Sequence, residues 1–245
     1  MEEIEVYNDI FDVRFDNIPI SSHLEGVIVE PRIHQHLSLV LRNFRYMLPE
    51  WSLTIYHSLS NKRYIEDILG VSHRVQMICF TDDNISIEEY SKLLMSKSFW
   101  NSLRGDKILV FQTDSFIRKR CISPYLGYDY IGAPWEKGFS SIYIDRGNGP
   151  VIHDIEVGNG GLSLRTRKVM IDIIDLPYME RYRYLPEDIF FSIGMLCMDG
   201  VRRCPVEVAR SFSVERIYHP NPFAWHKAYA YWSVREWENL KHIDI

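Results

Sequence analysis

The sequence has little that would bind a polyanion and nothing that reads as a membrane span. Its 28 lysines and arginines are outnumbered by 33 aspartates and glutamates, a net charge of −5. That excludes a broad basic surface, and with it non-specific nucleic-acid binding as a main function. An anionic small ligand would need local basic groups or a metal instead. No apolar run approaches the ~20 residues of a membrane span. Met1-Glu2-Glu3-Ile4-Glu5 is acidic and lacks the apolar region of a secretory signal. The expectation is a soluble, cytoplasmic protein, although the soluble domain of a secretory-pathway enzyme would read the same way. Cysteine is sparse: Cys79, Cys121, Cys197 and Cys204 show no CxxC or zinc-ligand spacing, which points to reduced thiols. Several catalytic signatures are missing too. There is no HExxH, no kinase set, no P-loop lysine, no GxGxxG and no Ser-His-Asp order. With no internal repeat and no linker, residues 1–245 read as one domain.

What is present is a series of buried-strand and helix patterns. Residues 1–25 carry no clear period and read as an edge strand or lead-in arm. Gly26-Val27-Ile28-Val29-Glu30 is the first buried strand, ended by Pro31 and Arg32. Leu37, Val40, Leu41, Phe44 and Met47 then recur at helical spacing. Leu53 to Tyr56 is a second strand, so this β-α-β order predicts a parallel pair with a right-handed crossover. A short helix over 61–69 stops at Gly70, and Val75 to Phe80 is a third strand. Ser86 caps the next helix, with Glu88 and Glu89 in its first turn and Leu93, Leu94 and Phe99 continuing its apolar face. Lys107 to Ser115 contains four consecutive apolar residues running into Gln112-Thr113-Asp114, the pattern of a strand buried on both faces. Tyr128 to Trp135 reads as a further strand, and Arg146-Gly147-Asn148-Gly149-Pro150 as a hairpin tip or mobile loop. Thr166 starts a helix through about Ile174, and Pro186-Glu187-Asp188 opens another through Met198.

Four features carry chemistry. Asp114 would stand at the carboxyl end of a buried strand, where open α/β sheets place ligands. A carboxylate there either holds a divalent cation bridging to a diphosphate or merely caps the next turn. Gly158-Asn159-Gly160-Gly161 puts three glycines in four residues. It is a backbone that approaches something closely, or a tight turn beside a bulge. Glu187 and Asp188 point in different directions from one helix start. One of them could serve as a general base, or both could complement the helix dipole. His226, among aromatics, is either structural or a ligand, with His219 as its competitor for a metal role. His34 and His36 do not share a helix face, and His153 has no identifiable partner. The basic runs Arg118-Lys119-Arg120 and Arg165-Thr166-Arg167-Lys168 read most simply as solvated faces.

Taken in order, these features resemble the core of GT-A glycosyltransferases: an acidic metal motif, a glycine-rich loop, an x-Glu-Asp motif and a C-terminal histidine. More narrowly, the chain looks like a sparsely characterised family of glycosyltransferase-like domains known from microbes, fungi and large DNA viruses. The matching words are Val29 to Arg32, Phe111 to Ser115, Tyr128 to Trp135, Gly158 to Arg165, Glu187-Asp188 and Phe223 to Lys227. The resemblance implies an α/β fold with a mostly parallel central sheet flanked by helices. Its Rossmann-like nucleotide-sugar-binding half would span 26–135 and its acceptor-binding half 136–245. It implies Mn²⁺ or Mg²⁺ held by Asp114 and His226, and a donor site built from Arg32, Gln112, Thr113 and Asp114. Trp135, Asn159, Gly160 and Gly161 would border donor sugar and acceptor, and Asp188, or else Glu187, would be the base. Gln112 stands where the metal motif's first aspartate belongs, a departure from the pattern.

The function so implied is metal-dependent transfer of a sugar with inversion. The donor would be a nucleotide-diphosphate sugar, a UDP-sugar first, and the acceptor a hydroxyl of a glycan, glycoprotein or small molecule. Its rivals are a non-catalytic glycan- or nucleotide-binding module and a metal-dependent nucleotidyltransferase.

Overall fold

The computed structural model describes residues 11–70, 73–139 and 155–227. Residues 140–154, which include Arg146 to Pro150 and His153, and residues 228–245 lie outside the described residues. Six strands form the central sheet: β1 (Leu24–Val29), β2 (Ser52–Ser58), β3 (Gln76–Thr81), β4 (Lys107–Phe111), β6 (Tyr130–Gly132) and β7 (Leu162–Thr166), in the order β3-β2-β1-β4-β7-β6. The first four run parallel, and β7 lies antiparallel between β4 and β6. The 3-2-1-4 order of the parallel part is that of a doubly wound nucleotide-binding half. A second sheet of three short strands, β5 (Ser115–Ile117), β9 (Ala224–His226) and β8 (Ser213–Val214), ties the segment after β4 to the end of the described chain.

Period-two alternation splits the sheet residues between two cores. In β4, Leu109 and Phe111 face α1 (Leu37–Met47), α2 (Lys62–Leu69) and α7 (Val206–Phe212). Ile108 and Val110 face the other way, toward α3 (Ile87–Leu94), α4 (Lys97–Ser102), α5 (Arg167–Ile174) and α6 (Glu187–Cys197). Helices therefore cover both faces, and the continuous apolar run of β4 follows from burial on both sides. On the first face Phe44 stacks on Phe111, with ring centroids 5.1 Å apart. A Cβ on Gly26 would overlap the Phe44 ring, so α1 packs directly on the backbone of β1.

Several expectations are corrected. The lead-in is no loose arm where it is described: Phe11, Phe15 and Ile18 are buried, and residues 24–29 already form β1. The helix begun at Ser86 has the capping box its Ser-x-x-Glu spacing invites, but it ends at Leu94. Ser96 then accepts from the Phe99 amide and starts a separate helix, so Phe99 does not continue the first. The strand read over 128–135 is only three residues long. Thr166 occupies the N-cap position of α5 without capping it. Its hydroxyl donates to Asp129 (2.7 Å) and accepts from Lys107 (2.6 Å).

Candidate active site

The carboxyl ends of β1 and β4 and the start of α3 enclose a cleft of about 550 Å³. That is ligand-sized, within the roughly 300–1,000 Å³ of small-molecule sites. Of the residues expected at a donor site, Arg32, Gln112, Thr113 and Asp114 line it, joined by Tyr90 and Lys227. Glu30, buried at the end of β1, accepts from the Arg32 side chain with both oxygens at 2.8 Å. That pairing raises the Arg32 pKa and fixes the guanidinium at the cleft wall. The Thr113 hydroxyl donates to the same carboxylate at 3.4 Å.

Asp114 and His226 meet although 112 positions separate them in sequence, because β5 and β9 pair Ser115 with His226. Asp114 Oδ1 stands 3.2 Å from His226 Nε2, without hydrogen-bond geometry. Burial pushes the Asp114 carboxyl up, but His226 and Lys227 outweigh it and hold the group below its usual range. Among the described residues, Oδ1 of Asp114 and both ring nitrogens of His226 are buried without a hydrogen-bond partner. Such orphaned acceptors are rare unless an ion or water completes them. A carboxylate oxygen and an imidazole nitrogen 3.2 Å apart, both buried without a partner, are a donor pair that would suit a divalent cation. No group of three His, Cys, Asp or Glu side chains gathers for a metal among the described residues. One or two protein ligands completed by phosphate oxygens is nonetheless an ordinary magnesium arrangement.

Lys227 follows directly. Its Nζ lies 3.7 Å from Asp114 Oδ2, and its amide donates to the Asp114 carbonyl at 2.9 Å. It adopts a φ of 51°, the left-handed region that costs a non-glycine residue roughly 1 kcal/mol or more. In the sequence Lys227 merely ends the Phe223 to Lys227 word; the fold gives it its left-handed backbone and its place in the cleft.

The glycine run joins this pair to Asp188. A Cβ on Gly161 would overlap the His226 imidazole, and one on Gly160 would meet Glu187 Oε1 and the Asp188 side chain. Gly158 has a φ of 140°, and a Cβ there would strike Ser192 of α6. The run thus lies flat along α6, and two consecutive glycines touch His226 and Asp188. The Gly160 amide donates to Asp188 Oδ2 at 3.3 Å, and the Ile189 amide to Oδ1 at 2.8 Å. Burial and the neighbouring Glu187 nevertheless push the Asp188 pKa up to about 7. Asn159 donates from Nδ2 to Glu215 (2.7 Å) and accepts from the Gly161 amide (3.1 Å). Glu215 Oε1 stands 3.7 Å from His226 Nδ1, the side of the ring away from Asp114. No motif marked Glu215, which lies in a segment without pattern.

Three expectations change. Glu187 is taken up by Arg165, with Nη1 at 2.6 Å and Nη2 at 3.0 Å from its two oxygens, so it is not placed to act as a base. Arg165 itself is fully buried rather than solvated, and Arg118 is buried as well. Trp135 is 4% exposed and stacks on Phe139 with centroids 5.9 Å apart, a packed residue rather than an open platform for a sugar. Of the other histidines, His219 is not among the residues brought to Asp114, and the His34 and His36 rings touch each other edge-on.

A family model described as "Protein of unknown function (DUF5672)" matches residues 74–226. No curated protein sequence matches the chain. Among solved structures, mouse xyloside xylosyltransferase 1 in its apo form superposes with a TM-score of 0.50 at 8% identity, over 83% of this chain and 97% of that one. An active-site mutant of LgtC superposes with a TM-score of 0.52 at 16% identity, over 83% of this chain and 86% of that one. At such identities the likeness establishes the fold, which is that of GT-A glycosyltransferases.

Proposed function

The chain belongs to the DUF5672 family, of unknown function, and from that starting point we propose that it is a glycosyltransferase using a nucleotide-diphosphate sugar. One observation carries the reading. Consecutive glycines touch Asp188 and His226, and His226 stands against Asp114 at the cleft, so four motifs scattered over more than a hundred residues form one chain of contacts. A sheet edge with an incidental acid would not gather an orphaned carboxylate–imidazole pair, a cation and a high-pKa carboxyl.

Asp114 and His226 would hold Mn²⁺ or Mg²⁺, which supplies charge neutralisation for a leaving diphosphate. Lys227 and Arg32, both lining the cleft, would orient the phosphates and nucleoside. Asp188 would accept the proton of the attacking hydroxyl as its oxygen bonds to the anomeric carbon and the bond from that carbon to the diphosphate oxygen breaks. A carboxyl that titrates near neutrality is matched to this task, since a base works best with a pKa near the operating pH. Glu187 is engaged by Arg165 and Glu215 by Asn159, leaving Asp188 as the carboxylate held by backbone amides alone, which suits single displacement with inversion. The compartment we propose is the cytoplasm, and the chain is read as one functional domain. No helix among the described residues is long and apolar enough to cross a membrane.

The test is a thermal-shift panel of nucleotide sugars with and without Mn²⁺, followed by assay for released nucleoside diphosphate. A ligand that binds only the native state raises its stability by mass action. A shift for at least one donor, larger with metal and with the metal-linked part lost in Asp114→Ala, is expected. A metal-independent shift unchanged in Asp114→Ala removes the metal assignment. Tight nucleotide binding with no transfer or hydrolysis across the panel selects the non-catalytic binding module, and release of pyrophosphate selects a nucleotidyltransferase.

A further inference from the structure

Among the described residues Arg165 is the largest fully buried charged side chain, and it has no task in the proposed reaction. It is 0% exposed on β7, where Ile108 of β4 and Tyr130 of β6 are its strand partners. Its guanidinium lies 4.7 Å from the Tyr130 ring centre, 5.4 Å from Phe191 and 5.9 Å from Trp100. Nε donates to Ser163 Oγ at 2.9 Å, and both terminal nitrogens donate to Glu187. A buried ion pair of this kind is poor evidence for stability, because desolvating two charges costs about as much as their attraction returns. An apolar pair would fill the box as well. What the pair does have is an address. Glu187 is the residue before Asp188, and a Cβ on Gly160 would lie 3.1 Å from Asp188 Cβ and 3.2 Å from Arg165 Nη2.

We propose that Arg165 is a positioning residue for Asp188: it binds the neighbouring Glu187 through both oxygens, so that of the two carboxylates beside Gly160 only Asp188 is left to accept a proton. The proposal rests on the glycosyltransferase reading. Asp188 is faced by Glu187 on its own helix, by Arg165 on β7, by the Tyr130 hydroxyl on β6, by the Tyr90 hydroxyl on α3 and by the Gly160 amide. Burial keeps both tyrosines neutral, their pKa values being raised. The formal charges against Asp188 are therefore those of Glu187 and Arg165, with opposite signs. Burial and Glu187 favour its protonated form, and Arg165 opposes them.

Opposite signs give a test that general damage to the fold does not mimic. Arg165→Met leaves Glu187 as an uncompensated negative neighbour, so Asp188 should lose its proton only at higher pH. Glu187→Gln leaves Arg165 as an uncompensated positive neighbour, so Asp188 should lose its proton at lower pH. The direct readout is carboxyl ¹³C NMR of the full chain with labelled aspartate, the Asp188 signal being the one absent from Asp188→Asn. The second readout is the acid limb of the kcat/KM profile. The expected result is a displacement of about one pH unit or more in each direction, equivalent to ~10-fold in proton affinity. Arg165→Lys keeps the charge and should return the midpoint toward wild type. If Arg165→Met does not fold, Glu187→Gln decides alone. A midpoint that stays put, or that moves the same way in both variants, overturns the proposal. If the NMR midpoints move as expected but no donor is turned over by the wild type, the glycosyltransferase reading fails and the pairing stands.

Discussion

In the proposed reaction Asp188 is the residue on which the chemistry turns, and its environment sets two expectations of different kinds. As a base it works ionised, so kcat/KM should rise as pH rises through about 7. Asp188→Asn should cut turnover by ~10² or more while leaving donor affinity within a few-fold; near-normal turnover would remove it as base. Stability runs the other way. The folded-state pKa lies above the ordinary carboxyl value of 3.8, so the folded protein holds this proton more tightly than the unfolded chain. The stabilisation so supplied is complete below the ordinary carboxyl range and is lost as pH rises through about 7. The asparagine variant carries no such proton. Its Tm relative to wild type should therefore improve between pH 5 and pH 8, a trend measurable by thermal melts; a constant gap would mean that Asp188 is solvated in the folded state. Asp114, Asp188 and His226 were legible in the sequence because each closes or opens an element beside short motif words. Arg165 was not. A run of Arg-Thr-Arg-Lys reads as a solvated face, and only the pairing of β7 between β4 and β6 shows that Arg165, its first residue, points into an aromatic box.

At the scale of elements, the glycine run decides whether the site holds together. It passes directly over the side chains of Glu187, Asp188 and Ser192 on α6 and over the His226 ring. Gly161→Ala would force a methyl into the buried imidazole, and overpacking of that kind costs about 1–3 kcal/mol. It should also displace the nitrogen facing Asp114. We therefore expect Gly161→Ala to unfold at lower urea and to lose the Mn²⁺-dependent part of nucleotide binding. Gly127→Ala is the control: nothing lies within 4 Å of a Cβ there, and its cost should stay within ~0.5 kcal/mol. Equal midpoints for the two variants would show that the close approach is not maintained in solution. The parallel strands and the amphipathic helix α1 follow from apolar runs and helical spacing, which is why they could be read in advance. The three-stranded sheet of β5, β9 and β8 could not. Strands of two or three residues carry no period, and their pairing is set by tertiary contacts such as Trp225 stacked on Phe116. Yet this small sheet is what brings His226 to Asp114.

The whole molecule poses an electrostatic problem for its proposed ligand. A protein of net charge −5 would have to attract a nucleoside diphosphate into a cleft that already contains Glu30 and Asp114. Arg32 is neutralised by Glu30, which leaves Lys227 as a cation at the cleft, 3.7 Å from Asp114 and also in the field of Glu215. If a metal takes over Asp114, as the orphaned oxygen invites, the ammonium of Lys227 is released toward the phosphates. Asp114 would hold the metal and Lys227 would offset the charge remaining on the diphosphate. Lys227→Ala should therefore weaken nucleoside diphosphate binding by ~10-fold or more in the presence of Mn²⁺, and by much less in its absence. Nucleoside binding should hardly change. Wild-type affinity should fall as salt rises, since the cleft is open and its charges are screened over about 10 Å at 0.1 M, and the variant should show a shallower dependence. Isothermal titration of nucleoside and nucleoside diphosphate, with and without Mn²⁺ at two salt concentrations, separates these terms. An equal loss with and without metal would mean that Lys227 contacts phosphate independently of Asp114. An equal loss for nucleoside and diphosphate would mean that its left-handed backbone, rather than its charge, shapes the cleft.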